Sequence, residues 1–554
     1  MSKYSFSKIA NVKFNRSKFD LSQQHKTTIN VGDLCPVYLQ EVYPGDSFKI
    51  KTAFVARASV PYLKVPMDNL FMDMYYFFVP NRLVYTKWSQ IFGENPSSAW
   101  VPASVVNSPM ATVDLATCVP GTVANYMGLP YDASPTDDLP VSDLPFRAFA
   151  MIWNEWFRDE NVQDPVYINT ASTIGGSTNT NAWSSSNYHG KVPKVNKVHD
   201  YFTSCLPGTQ KGTATNVPLI SGAQAPVKTS ASATWTVGTT SNPLTYRATQ
   251  SGTLLAGYAT GLGTVSSGTA NAVASTSQTI GSSNIKIAPN NLYADLSNVS
   301  AVNINDLRFA FQLQKMLELD ARGGTRYTEY LLNHFGTVNP DARLQRPEFL
   351  GGKRQPLSMQ QVNQTTPAAS GGTPQASVAA YSLSGGTNGC SKSFTEHGFI
   401  IGVACIRYFH TYQQGIERFW SREKRTDFYD PLFAHLGEQP VYTRELFAKG
   451  SSGDANVFGY QEPWADLRFR KNLVSGALAS NYNAGLDVWH FADFYSGAPT
   501  LSDSFIKETG APVDRALSAG STTIPNFILD FYFNVDAIRV LPTYGTPGRI
   551  DHNM

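Results

Sequence analysis

Few residues in this chain are placed to do chemistry. Glu155 and Asp159 lie four apart beside Trp153 and Trp156 in a stretch with helical periodicity. Paired carboxylates beside indole rings suit glycoside cleavage, but carboxylates at this spacing far more often form a solvated face. Cys390, His397 and Cys405 can be drawn as a metal set. Their spacing matches no usual zinc pattern, and Cys405 falls within a buried-strand pattern, so core thiols are favoured. Gly261-Leu262-Gly263 lacks the strand–loop–helix frame that would make it a phosphate loop, and no G-x-S-x-G element or P-loop occurs. Asp320-Ala321-Arg322-Gly323-Gly324-Thr325-Arg326 sets two arginines around a turn. It could cradle a phosphate, but pairing with nearby carboxylates is the favoured reading. Arg343, Arg346, Lys353 and Arg354 form another basic cluster, read as solvated. The expectation is a protein that is not an enzyme and takes no cofactor and no metal.

Binding chemistry is better represented. Residues 1 to 30 read as a basic arm in which Lys3, Lys8, Lys13, Arg16, Lys18 and Lys26 alternate loosely with Tyr4, Phe6, Phe14 and Phe19, opposed only by Asp20. Cations for phosphates and rings for unpaired bases make this a candidate single-strand contact, with Lys3, Lys8, Lys13, Arg16, Lys18, Tyr4, Phe6 and Phe14 as its residues. The same arm could drape over a neighbouring subunit. The second candidate is the stretch from Lys211 to about Asn291, rich in Ser, Thr, Gly, Ala and Asn, with no Asp or Glu between Asp200 and Asp295. Such composition can mark a disordered linker. Trp235, Leu244, Tyr246 and Tyr258, with Arg247, are instead spread among β-formers and turn residues, which favours a folded insertion packing against copies of itself.

The elements that must carry these residues are mostly strands. Asp46 to Val60 alternates, with Phe48, Ile50, Thr52, Phe54 and Ala56 on one face, after a turn at Tyr43-Pro44-Gly45-Asp46. Phe71 to Val79 and Gly398 to His410 are apolar on both faces, as covered strands are. Phe527 to Val540 alternates again. Helices are expected over Leu144 to Glu160, from an Asn305 cap to Arg322, and over Arg326 to Phe335. The fold class expected is mainly β, an antiparallel sandwich whose long loops carry helices. Its divisions are an arm (1–30), a first core part (31–210) with the helix at 144–160, the insertion (211–300), a helical and loop insertion (301–395), and the remaining strands (396–554).

The totals agree with a protein that buries surface against partners. Of 554 residues, 12% are aromatic and only 16% charged, and the net charge is +2, so any nucleic-acid contact must be local. Five scattered cysteines make no disulfide framework and suit a reducing cytoplasm. Residues 1–10 lack the apolar core of a signal peptide, and no run of about eighteen apolar residues predicts a membrane span. A carbohydrate-binding or carbohydrate-cleaving β-sandwich is the competing class, supported by the aromatic content and the Glu155/Asp159 pair.

Longer motifs add a resemblance. Phe14-Asn15-Arg16-Ser17-Lys18-Phe19-Asp20-Leu21, Met67-Asp68-Asn69-Leu70, Tyr75-Tyr76-Phe77-Phe78-Val79-Pro80-Asn81-Arg82 and Ile152-Trp153-Asn154-Glu155-Trp156-Phe157-Arg158-Asp159-Glu160 occur in this order. Asp320 to Glu329, Pro340-Asp341-Ala342-Arg343-Leu344-Gln345-Arg346-Pro347-Glu348 and Pro547-Gly548-Arg549-Ile550-Asp551-His552 follow. Together they resemble gokushovirus major capsid proteins, the shell proteins of small single-stranded DNA bacteriophages of the microvirus family. One departure is Gly208-Thr209-Gln210, where that family usually has another aromatic and a proline. The resemblance implies an eight-stranded antiparallel jelly roll in a T=1 icosahedral shell, with one copy per asymmetric unit. It implies that the insertion forms a threefold protrusion facing a host cell-surface receptor, with Trp235, Leu244, Tyr246, Arg247 and Tyr258 as candidates, and that inner-surface basic and aromatic residues meet the packaged single-stranded DNA. It further implies assembly in the host bacterial cytoplasm, localisation to the virion, and internal scaffolding, DNA-binding and minor (pilot) proteins as partners, without membrane insertion.

Overall fold

The computed structural model describes residues 15–212 and 304–544, apart from 99, 102–103, 173–182, 185–186, 358, 364, 366–377, 384 and 483–484. Between 213 and 303 it describes only the backbone of 227–229, 246–250, 253–254, 285–289 and 292–294, and 359–363 and 378–383 are likewise described as backbone. The chain divides into a larger unit, residues 1–211 with 318–554, and a smaller one, residues 212–317.

Nine of the described strands build the two main sheets of the larger unit: β1 (Ser17–Asp20), β2 (Gln23–Ile29), β3 (Cys35–Val42), β4 (Ser47–Ala58), β5 (Leu70–Pro80), β6 (Glu348–Leu357), β7 (Gly386–Ser393), β8 (Gly398–Tyr408) and β9 (Phe527–Arg539). Period-two alternation decides the first sheet. In β4 the side chains of Phe48, Ile50, Thr52, Phe54 and Ala56 are buried, while Lys49, Lys51, Val55 and Arg57 are exposed. In β9, Phe527, Leu529, Phe531, Phe533, Val535 and Ala537 are buried. The two strands pair antiparallel with inward residues in register, Phe531 opposite Phe54 and Val535 opposite Ile50. Each fully buried large apolar side chain contributes about 1.5–3 kcal/mol. The turn into β4 forms at Tyr43-Pro44-Gly45-Asp46: Gly45 takes φ +90°, and the Asp46 amide donates to the Tyr43 carbonyl at 3.0 Å.

The sheet order is β1–β9–β4–β7, with β2 also paired to β9, beyond the end of β1. Residues 17–29, expected as part of an irregular basic arm, are therefore strands. Their side chains are polar on the outward face and, apart from the buried Ile29, only half-buried on the other, as at an edge, so period two is faint in the sequence. The second sheet runs β6–β5–β8–β3. All these pairings are antiparallel, and the inner faces meet in one core. The rings of Tyr38 (β3) and Phe533 (β9) lie 4.8 Å apart, and the hydroxyls of Thr52 and Tyr76 share a buried hydrogen bond. The protein is thus mainly β, an antiparallel sandwich.

The outer face of the second sheet is covered by α1 (Leu144–Ile152) and a π turn, Trp153–Phe157. Helix α2 (Ile304–Gly323) starts one residue before Asn305, which therefore lies inside its first turn rather than capping it. Its half-buried positions include the expected stripe, Leu307, Ala310, Leu313 and Leu317. Helix α3 (Tyr327–Phe335) follows, ended by Gly336 at φ +66°. A second, smaller core, with Tyr201, Phe202, Val441, Leu446 and Phe458 among its members, lies beneath the loops between β8 and β9. In the smaller unit, strand 246–250 pairs antiparallel with 253–254 and 285–289, and 227–229 pairs with 292–294.

Candidate assembly and nucleic-acid surfaces

Four of the quoted motifs, most of them far apart in sequence, meet on the covered sheet. Phe77 of β5 packs 5.4 Å from the Trp156 ring and 5.7 Å from Phe349 of β6. The Arg346 guanidinium lies 4.0 Å over Trp156, whose indole N–H donates to the Pro347 carbonyl at 3.1 Å. The Arg326 guanidinium donates to the carbonyls of Asn154 (2.9 Å) and Arg158 (2.8 Å) and pairs with Glu329 at 3.0 Å. Backbone amides of Thr325 and Arg326 point at one anion, the Glu160 carboxylate, at 2.5 and 3.2 Å. The Gly-Gly turn is therefore an anion site filled by the protein itself, and its arginines make the ion pairs expected of them. Burial pushes the Glu160 carboxyl up, but these amides, Lys211 and Arg326 outweigh it and hold the group below its ordinary value.

The other catalytic sketches dissolve. The helical turns end at Phe157 and Arg158 is extended, so Glu155 and Asp159 share no helical face, which removes the pair that supported a carbohydrate-cleaving reading. Among the described residues no group of three His, Cys, Asp or Glu side chains could hold a metal ion. Cys405 and Cys390 are core thiols pushed up to about 12 by burial, and the His397 ring stacks on Phe92 at 4.9 Å. Two members of the cluster read as solvated are instead engaged: Arg346 with Asp341 and Trp156, and Arg354 with Asp73.

The predicted binding residues are only partly reached. Lys3, Tyr4, Phe6, Lys8, Lys13 and Phe14 lie outside the described residues, as do Trp235, Leu244 and Tyr258. Tyr246 and Arg247 lie on the strand at 246–250, opposite Pro289 and Ala288. Arg16 precedes β1 and is exposed. Lys18 sits on β1 and its ammonium pairs with Asp536 of β9 at 2.7 Å, so it serves the sheet.

Sequence reasoning missed the segment from Ile416 to Leu436. It runs through short 3-10 turns at Arg418–Ser421, Arg425–Asp427 and Pro431–Phe433 and leaves Phe419, Trp420, Phe428, Tyr429, Leu432 and Leu436 exposed, Trp420 at 73% and Leu432 at 89%. Trp100 is 95% exposed on another loop. The available signal was aromatic pairs set among charges with no period of two or 3.6, a pattern that cannot enter a core of its own chain. Exposed aromatics this large and clustered mark surfaces that meet partners.

Residues 7–549 match the capsid protein (F protein) family. The chain belongs to this family of phage capsid proteins. It is 41% identical to the capsid protein VP1 of Spiroplasma virus 4, over 96% of this chain and 95% of that one. It is 36% identical to capsid protein VP1 of Bdellovibrio phage phiMH2K and 35% to that of Chlamydia phage 1, each over 98% of this chain and 97% of the relative. The chain is thus a capsid protein of small single-stranded DNA phages and a component of the virion. No described helix of this capsid protein is long and apolar enough to cross a membrane. Its exposed aromatic loops accord with a subunit completed by its neighbours.

Proposed function

We propose that this capsid protein self-assembles into a T=1 icosahedral shell around a circular single-stranded DNA genome, and that its role is structural throughout. The carrying observation is the family match over nearly the whole chain, joined to the exposed aromatic loops of an otherwise well-packed sandwich. Burial of apolar surface between copies supplies the drive, closed symmetry makes it finite, and many weak contacts act together. The two sheets act as an eight-stranded jelly roll in which β1 and β2 share one edge position beside β9. Lys3, Lys8, Lys13 and Arg16, with Tyr4, Phe6 and Phe14, neutralise phosphates and stack bases inside the shell. The insertion at 211–300 forms threefold protrusions that meet a host cell-surface receptor through residues such as Trp235, Leu244, Tyr246, Arg247 and Tyr258. Its single carboxylate, Asp295, and sparse cations let three copies approach without mutual repulsion. Assembly takes place in the host bacterial cytoplasm, with internal scaffolding, DNA-binding and pilot proteins as further partners.

Electron microscopy of purified particles, with their DNA content measured, tests this reading. Closed particles of one size containing DNA are expected. A monomer that never self-associates would refute it. Trimming residues 1–14 should lower DNA retention more than shell yield, and unchanged DNA content in trimmed shells would count against the arm's role.

A further inference from the structure

The loops over the smaller core enclose two adjoining chambers that neither the fold nor the family match explains. The first is a cavity of about 570 Å³ and the second one of about 290 Å³, and the guanidinium-bearing Arg418 and Arg422 line both. The first chamber is lined by Tyr201 and Phe469, stacked on one another at 5.2 Å with ring planes nearly parallel at 5°. The second holds Tyr442, with the Arg444 guanidinium 5.1 Å and that of Arg418 5.7 Å from its ring centre.

Charge in the chambers is unbalanced. Seven cationic side chains line them against five carboxylates, and one of the seven, Arg468, pairs outside the lining with Glu462 at 2.6 Å. Glu417 is taken by Arg470 at 2.8 Å, Asp466 by Arg422, and Glu445 by the Tyr201 hydroxyl at 3.0 Å and Arg418 at 3.6 Å. Asp427 accepts the amides of Glu423 and Lys424, and Glu423 remains at the rim. Two buried or half-buried cations are left without a carboxylate among the described residues. Lys471 holds only the carbonyls of Gly415 (2.5 Å) and Glu445 (3.5 Å), and Arg444 keeps a buried Nε–H with no acceptor. A surplus of this kind is costly unless an anion completes it.

We propose that the two chambers seat successive nucleotides of a single strand of nucleic acid, one base on the Tyr201–Phe469 platform, the next beside Tyr442, and the linking phosphodiester over Arg418 and Arg422. The seat rests on the genome-enclosing reading and names where in the chain one contact is made. Aromatic platforms accept any unpaired base and guanidinium forks grip phosphate, so binding is tolerant of sequence and sensitive to salt. A duplex has no free base faces to offer such pockets.

Two measurements test it. DNA-filled particles carrying 5-bromodeoxyuridine are irradiated, and the cross-linked peptides are mapped. The full-length protein is also titrated with a short oligodeoxythymidylate at several salt concentrations, as wild type, Arg444→Gln and Arg470→Ala. Arg470 is 79% exposed, so its removal spares the fold. Cross-links at Tyr201, Phe419, Phe469 or Tyr442 are expected, with affinity lowered about tenfold by Arg444→Gln. The logarithmic salt slope should also shrink by about 0.7 for each phosphate no longer neutralised. DNA-filled particles with cross-links only elsewhere, or with unchanged affinity in both variants, would overturn the seat alone. A peptide of a neighbouring copy cross-linked into the chambers would do the same and identify them as a subunit contact. Wild-type particles without DNA would overturn the enclosing role and the seat together.

Discussion

Buried charges hold the sandwich and its loops in register. On β5, in a run otherwise apolar, Asp73 is fully buried between Arg354, at 2.7 Å, and Arg407. The run advertises a covered strand, but nothing local announces that its one carboxylate has cationic partners nearly three hundred residues or more away in sequence. Near β8, the fully buried His410 bridges Asp493 (2.9 Å) and Glu508 (2.8 Å), with Lys197 also on Asp493 at 3.0 Å. Burial alone would lower its pKa, but the two carboxylates dominate and raise it from 6.5 to about 9. Its stabilisation is therefore complete below the ordinary histidine range and is lost as pH rises through about 9. It amounts to about 3 kcal/mol. Denaturant melts of the subunit between pH 6 and 10 should lose stability over that window, and His410→Gln should flatten the dependence. Gly324, at φ +89°, sits where a Cβ would meet the carboxylates of Glu329 and Glu160. Gly324→Ala should cost about 1–3 kcal/mol in the same melts, because both strain and the closed anion turn oppose it.

Strands with strong side-chain patterns were legible, and those with weak ones were not. β4, β5, β8 and β9 follow the expected runs closely, because each buries large apolar side chains on at least one face. β7 escaped notice: Gly386–Ser393 is Gly, Ser, Thr and Asn with Cys390 and Lys392, and it is a strand because β4 offers it an edge. β1 and β2 escaped for the same reason. The correction changes where the chain can be cut. Removal of residues 1–14 should leave a soluble, folded subunit. Removal of 1–29 strips β9 of its outer neighbours along its whole length and should give aggregates, since an unpaired apolar strand edge recruits other chains. Solubility after expression separates the two. Phe531→Ala, at the centre of β9, should cost about 3–5 kcal/mol.

For the whole molecule, the sequence carried the family and the sandwich, and four of the motifs that carried the family meet at one junction over β5. It did not carry the chambers under Arg418 and Arg422, because their walls come from residues near 201, 418, 444 and 470 that only the folded loops bring together. Residues 212–317 form a separate unit, so deleting about 225 to 285 should leave the sandwich folded and assembly intact while abolishing adsorption to host cells. Wild-type adsorption by such particles would remove the insertion from the attachment role.

The first sheet is sewn from both ends of the described chain: β9, the last of the described strands to be made, lies between β4 and the first of them. A ribosome releases residues at about 5–20 per second. The opening strands must therefore wait on the order of half a minute or longer for their centrepiece. A subunit broken off early by a truncated message has a gap in the middle of its wall. Only finished translation yields a shell-competent piece, so the fold itself screens incomplete chains out of the particle.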